Sequence, residues 1–98
     1  MSETFVVNAT TTGGTTISHL ANGGNNADVI DLSSEKGKLQ NRETSANLVN
    51  SEGDWFFGAN QLVWWDTTAS FPAHAETLTL LFASGTDLSV KGNKFTVI

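Results

Sequence analysis

The sequence predicts an all-β fold, a small antiparallel β-sandwich or compact barrel, from three observations. Thr, Ser, Asn and Gly make up about two-fifths of the 98 residues. The branched Cβ of Thr favours strands, while Gly and Asn favour turns. Apolar or alternating runs recur roughly every 8–12 residues with turn residues between them, the spacing of sandwiches and barrels. Good helix formers are scarce and no segment reads as a crossover helix, which argues against a parallel α/β sheet. The length fits one domain over residues 1–98.

Phe5-Val6-Val7 is a short apolar run, read as the first strand. Thr10-Thr11-Thr12-Gly13-Gly14 is a polar connection. Thr15 to Leu20 and Asp28 to Leu32 read as strands on either side of Asn22-Gly23-Gly24-Asn25-Asn26, and they are expected to form a hairpin. A second turn follows at Ser33-Ser34-Glu35-Lys36-Gly37. Between Lys38 and Asn50 the large apolar residues Leu39, Leu48 and Val49 fit neither period, so this stretch reads as partly exposed strand or extended loop.

After the turn Ser51-Glu52-Gly53-Asp54, the runs Trp55-Phe56-Phe57 and Leu62-Val63-Trp64-Trp65 read as two aromatic strands around Gly58-Ala59-Asn60-Gln61. A short helix through this stretch is the alternative. Phe71-Pro72 marks a loop, because proline restricts the residue before it. Glu76 to Ala83 is the clearest strand, with Leu78, Leu80 and Phe82 on one face and Thr77 and Thr79 on the other. Leu81 interrupts the polar face, which predicts that this face is covered too. Leu88 to Lys91 and Lys94 to Ile98 flank Gly92-Asn93, the signature of a two-residue hairpin loop. The expected core is Phe5, Val7, Ile17, Val29, Leu78, Leu80, Phe82, Val90, Phe95 and Val97, joined by Trp64 or Trp65.

The bulk numbers exclude some functions. A net charge of −5 with five basic residues argues against nucleic acid, whose phosphates are met by clustered Lys and Arg. Lys36, Lys38 and Arg42 form a small basic group that reads as a solvated turn. No apolar run is long enough to span a bilayer, so no membrane role is expected. Met1-Ser2-Glu3-Thr4-Phe5 lacks the basic and apolar regions of a secretion signal, so synthesis in the cytoplasm is expected. Without cysteine, no disulfide or thiolate metal site reinforces a chain whose core is thin for its size.

Catalytic and cofactor motifs are not apparent, and the chain is expected to be no enzyme and to hold no cofactor or metal. His19 and His74 are isolated in sequence and read as surface or core residues rather than zinc ligands. Asn25, Asn26, Asp28 and Asp31 form an oxygen-rich stretch, but the calcium-loop spacing is missing and turn chemistry accounts for it. No Gly-x-Ser-x-Gly elbow or phosphate-binding glycine loop occurs. Glu52 and Asp54 flank a turn and most simply solvate it. Asn8-Ala9-Thr10 matches a glycosylation triplet and reads as chance.

The aromatic stretch carries the functional signal. All three tryptophans, Trp55, Trp64 and Trp65, fall within eleven residues, beside Phe56 and Phe57. Neighbours on a strand point to opposite faces, so one of Trp64 and Trp65 must face away from the core. A partner, a ligand or the rest of the domain covers it. These five residues are the candidate interface or ligand-binding set. The first functional reading is a structural subunit that self-associates and decorates or cements a larger assembly, such as a phage-type virion. The second is a carbohydrate-binding, lectin-like module that stacks sugars on an exposed indole beside Asn or Asp. A third is strand addition to a partner at an edge offered by Lys94 to Ile98.

Overall fold

A computed structural model describes residues 3–7, 15–23, 27–33, 39–67 and 72–98. The connection at Thr10–Gly14, the glycosylation triplet, Asn25, Asn26, Lys36, Lys38 and Phe71 lie outside these residues. Among the described residues nine strands form: β1 Thr4–Val6, β2 Thr16–Leu20, β3 Val29–Asp31, β4 Asn41–Arg42, β5 Asp54–Gly58, β6 Gln61–Asp66, β7 His74–Phe82, β8 Leu88–Lys91 and β9 Lys94–Val97. A 3-10 turn, Ala46–Leu48, lies against β5. Within the ambiguous Lys38–Asn50 stretch, the described residues 39–50 thus hold a two-residue strand and this turn. No helix among the described residues is long and apolar enough to cross a membrane.

The strands make two sheets, one ordered β1-β3-β9-β8 and the other β2-β7-β6-β5-β4. They do not close into one barrel, which corrects the compact-barrel alternative. They are also mixed rather than purely antiparallel. β1 runs parallel to β3, β2 to β7 and β4 to β5. All three parallel pairs add a short strand at a sheet margin. The expected β2–β3 hairpin does not form either: β2 joins β7 in one sheet, and β3 sits between β1 and β9 in the other. The segment 21–28 therefore crosses between sheets.

Asp28 fixes that crossing. Its buried carboxylate accepts the Glu3 N–H through Oδ1 and the Ala21 N–H through Oδ2, both at 2.9 Å. Glu3 leads into β1 of one sheet and Ala21 leaves β2 of the other, so one side chain ties the two sheets. Charge-assisted bonds of this kind stabilise more than neutral ones. Asp31 likewise accepts the Ser33 N–H at 2.8 Å. Its pKa is held low by Ser33, with Lys94 opposite adding to the effect.

Two hairpins form as the sequence predicts. In β5–β6 both loop residues, Ala59 (φ 50°) and Asn60 (φ 64°), are left-handed, the φ pattern of a type I′ turn. In β8–β9 only Gly92 is (φ 63°), the φ pattern of type II′. In β2, an extra residue between Ile17 and Leu20, opposite Leu80 and Phe82, makes a bulge with His19 at φ 61°. Strict alternation would aim Ile17 and Leu20 at opposite faces. The bulge lets both reach the core.

That core is shared by the two sheets. Leu62, Trp64, Leu78 and Leu80 from one meet Ile30, Leu88, Phe95 and Val97 from the other. Full burial of each such side chain contributes roughly 1.5–3 kcal/mol. Val7, Leu78, Leu80, Phe95 and Val97 are buried as expected, and Phe5, Ile17 and Phe82 pack at the margin. Val29 is half-buried outside this cluster. Val90 departs from expectation: it shares a face with Phe95 but lies on an edge strand, where it stays 38% exposed. Leu20, Ile30, Leu32, Leu39, Trp55, Leu62 and Leu88 complete the cluster. β9 lies between β3 and β8, so the C-terminal run is not the sheet edge expected of it.

Candidate functional site

The β5–β6 hairpin sorts the aromatic residues by its pleat. Trp55 pairs with Trp64 and Phe57 with Leu62, and these four face the core. Trp55 is 3% exposed and Trp64 wholly buried. Trp55 meets Phe95 edge-to-face at 4.8 Å, and the Arg42 guanidinium lies 4.9 Å from its ring centre. Trp64 keeps its indole N–H buried with no acceptor among the described residues. Two of the three indoles are therefore core residues. Phe57 leans on Phe82, ring centres 5.5 Å apart, at the margin of the same core.

Phe56 and Trp65 fall on the outer face and are half-buried. The Phe56 ring lies over Gly58, where an added Cβ would come within 2.7 Å of Phe56 Cζ. Val63 sits between Phe56 and Thr77, Gln61 between Gly58 and Thr79, and Trp65 opposite Ala75. None of these eight residues is charged. Gln61 Nε2 donates to Thr79 Oγ1 at 3.0 Å, so two of the face's polar groups satisfy each other. Cover is partial: Val63 is 6% exposed, whereas Leu81 on the same strand face as Thr77 and Thr79 is 43% exposed. The sequence-based expectation of a fully covered second face is corrected to that extent.

At the β5–β6 turn end, the space between the sheets opens into a shallow groove. Phe57, Leu81 and Phe82 supply its apolar lining, and Asn60, Arg42 and Asp87 supply polar groups. Arg42 holds Asp87 through two hydrogen bonds of 2.7 and 3.2 Å. The guanidinium keeps the Asp87 carboxyl below its ordinary value, against a smaller opposing effect of burial. Arg42, read from sequence as part of a solvated basic turn, is instead a clasp between β4 and the turn before β8.

At the far end of the same hairpin pair, Asp66, His74 and Glu76 converge. Asp66 and His74 are opposite each other and Glu76 is two residues along β7, so all three share the inward face with Trp64 and Leu78. Their donor atoms lie within 4.8 Å of one another. His74 Nδ1 meets the Pro72 carbonyl and Nε2 meets Glu76 Oε1. The Pro72 carbonyl and then Glu76 raise the His74 pKa, against the effect of burial. His74 is thus not isolated. The His74-x-Glu76 alternation was visible in the sequence, but the register bringing Asp66 opposite was not. His19 stays apart on the β2 bulge.

Asp54 is also buried, and its role is local. It accepts from Asn41 Nδ2 and from the Asn50 and Ser51 N–H groups at 3.2–3.3 Å, pinning the loop before β5. Burial pushes its pKa up, but these donors outweigh it and the net shift is downward. Neighbouring Glu43 is raised, by burial and then by Asp54.

The fold and surface define a two-sheet all-β protein with a partly aromatic sheet face whose one carboxylate, Asp54, is buried at its margin. No family model, curated protein or solved structure matches the chain.

Proposed function

We propose that the protein is a non-catalytic structural subunit, a small β-sandwich that self-associates and decorates or cements a larger assembly such as a phage-type virion. The observation that carries this reading is the outer face of β5–β7. Across three strands it presents Phe56, Val63, Trp65, Ala75, Thr77 and Thr79; the one charged residue on this pleat, Asp54 at the start of β5, is buried and accepts from Asn41, Asn50 and Ser51. Interface cores are depleted in charge and enriched in aromatic residues. The internal Gln61–Thr79 bond lowers the desolvation cost of covering the face. A second copy is the favoured occupant, because the same largely apolar face on both partners makes an isologous contact. Light scattering tests the reading. A native mass at a multiple of 10.4 kDa supports it, and a strict 10.4 kDa monomer at high concentration overturns it.

The groove at the turn end favours a second reading, carbohydrate binding. Phe57 and Phe82 offer ring faces beside Asn60 and Asp87, which fit sugar hydroxyls. The indole platform expected from the sequence is reduced to Trp65, which has Ala75 opposite it on β7. Titration with a glycan panel, followed by chemical shifts of Phe57 and Asn60, tests this reading. Silence across the panel removes it.

A further inference from the structure

We propose that Asp66, His74 and Glu76 form a binding site for one divalent transition-metal ion, with zinc as the fitting probe. This inference is independent of the assembly reading and uses the opposite surface of the sheet. It rests on four features of the cluster.

The donor set is the first. One imidazole nitrogen and two carboxylates suit zinc and its neighbours, whereas magnesium and calcium favour all-oxygen sites. The three donors come from two adjacent strands of a central hairpin pair, and strands hold ligands more firmly than loops do.

Histidine orientation is the second. A carbonyl oxygen only accepts, so the contact with Pro72 assigns the proton to His74 Nδ1. A backbone carbonyl in this role orients many metal-binding histidines. It leaves Nε2 directed at Glu76 Oε1. A lone pair facing a carboxylate oxygen needs a positive centre between them; in the direct contact that centre is a proton, and a metal ion replaces it once the two donors part.

Charge is the third. Asp66 is wholly buried and the Glu76 side chain is only 11% exposed. A protonated histidine leaves this trio at −1, whereas a neutral histidine with a divalent ion brings it to zero. Neutrality is favoured where burial penalises net charge.

Space is the fourth. Tetrahedral zinc with ligand bonds of roughly 2.0–2.2 Å holds its donors about 3.4 Å apart. The three donors lie within 4.8 Å of one another, with His74 Nε2 and Glu76 Oε1 in direct contact, so side-chain rotation must part this pair and draw Asp66 inward to seat the ion. The His74 side chain is 38% exposed, which gives an ion a route in and a solvent-facing position for a fourth ligand.

Calorimetric titration of the chelator-treated full chain with zinc chloride tests the site. We expect one ion per chain, and at least a tenfold weaker affinity in His74→Ala and in Glu76→Gln, the scale of losing a ligand or its support. His19→Gln should bind as wild type. Because Asp66→Asn removes a buried charge and its fold is at risk, the Nε2 nitrogen-15 resonance of His74 supplies a second readout. It should move on zinc addition and stay put on magnesium addition. No zinc binding, binding unchanged in both His74→Ala and Glu76→Gln, or loss of binding in His19→Gln would each overturn the proposal.

Discussion

Arg42 grips Asp87 with both arms of its guanidinium and covers the Trp55 ring with the same group. The clasp joins β4, at the margin of one sheet, to the turn that leads into β8 of the other. Both side chains are about 40% exposed, at 42% and 41%, so the ion pair alone contributes little, about 0.2–1 kcal/mol. Stacking over Trp55 adds about 0.5–1 kcal/mol. Arg42→Ala should therefore cost about 1–2 kcal/mol and lower the melting temperature by several degrees. Arg42→Lys should recover only part of that, because an ammonium cannot make the bidentate contact.

The same clasp sets an acid dependence. Asp87 has its folded pKa depressed below 3.8, first by the Arg42 hydrogen bonds. Its contribution is complete above pH 3.8 and is lost as pH falls through the lower folded value. Urea titrations of wild type and Arg42→Ala between neutral and strongly acid pH check this. The gap between the two proteins should be constant at neutral pH and narrow once the pH drops below 3.8.

Asp28 offers a sharper stability test. Two backbone N–H groups, from the entry to β1 and the exit from β2, depend on its buried carboxylate. Hydrogen bonds to a charged partner contribute roughly 1.5–3 kcal/mol each. Asp28→Ala should cost about 3–4 kcal/mol, and Asp28→Asn, which keeps one acceptor oxygen, about half as much. Amide exchange at Glu3 and Ala21 should accelerate before exchange in β6 and β7. Uniform acceleration would mean that Asp28 supports global stability without specifically tying the crossing.

Ala59 sits where an alanine is poorly suited. Its φ of 50° places a Cβ in the left-handed region, which costs roughly 1–2 kcal/mol for residues other than glycine. Glycine gives back part of that gain through greater freedom in the unfolded chain. Ala59→Gly should therefore stabilise by about 0.5–1 kcal/mol. Thermal melts of the two proteins suffice to check it, and no change in oligomeric state is expected.

Legibility in the sequence followed the range of each interaction. The β8–β9 hairpin is written in Gly92-Asn93, so local turn chemistry specifies it, whereas the β5–β6 hairpin was readable from the aromatic runs on either side of Gly58-Ala59-Asn60-Gln61. The inward face of β7 was readable because Leu78 and Leu80 alternate strictly with threonine. Parallel pairing left no local mark, since β1 meets β3 and β2 meets β7 across long stretches of chain. The β2 bulge hid Leu20 by breaking the alternation. Trp55 and Trp64 looked like surplus apolar surface because their cover, such as Phe95 from the opposite sheet and Arg42 from the neighbouring strand against Trp55, depends on topology. The Asp66–His74 pairing was hidden for the same reason: their opposition depends on the register across the β6–β7 connection.

Trp64 and Trp65 separate folding from assembly within one dipeptide. Trp64 is wholly buried, pairs with Trp55 and belongs to the shared core. Trp64→Ala should destabilise by about 3–5 kcal/mol through lost burial and the cavity left behind. Trp65 faces the other way, half-buried on the outer sheet face opposite Ala75. Trp65→Ala should leave the circular dichroism and the urea midpoint near wild type, because the side chain is absent from the shared core. Thr77→Lys, at an exposed position on the same face, should act likewise by placing a charge in the contact. Both variants should sediment as monomers where wild type sediments as a larger species. Acrylamide should quench one indole of three in the dissociated wild type and none in Trp65→Ala. Normal association in both variants would move the interface off this face, and the assembly reading with it.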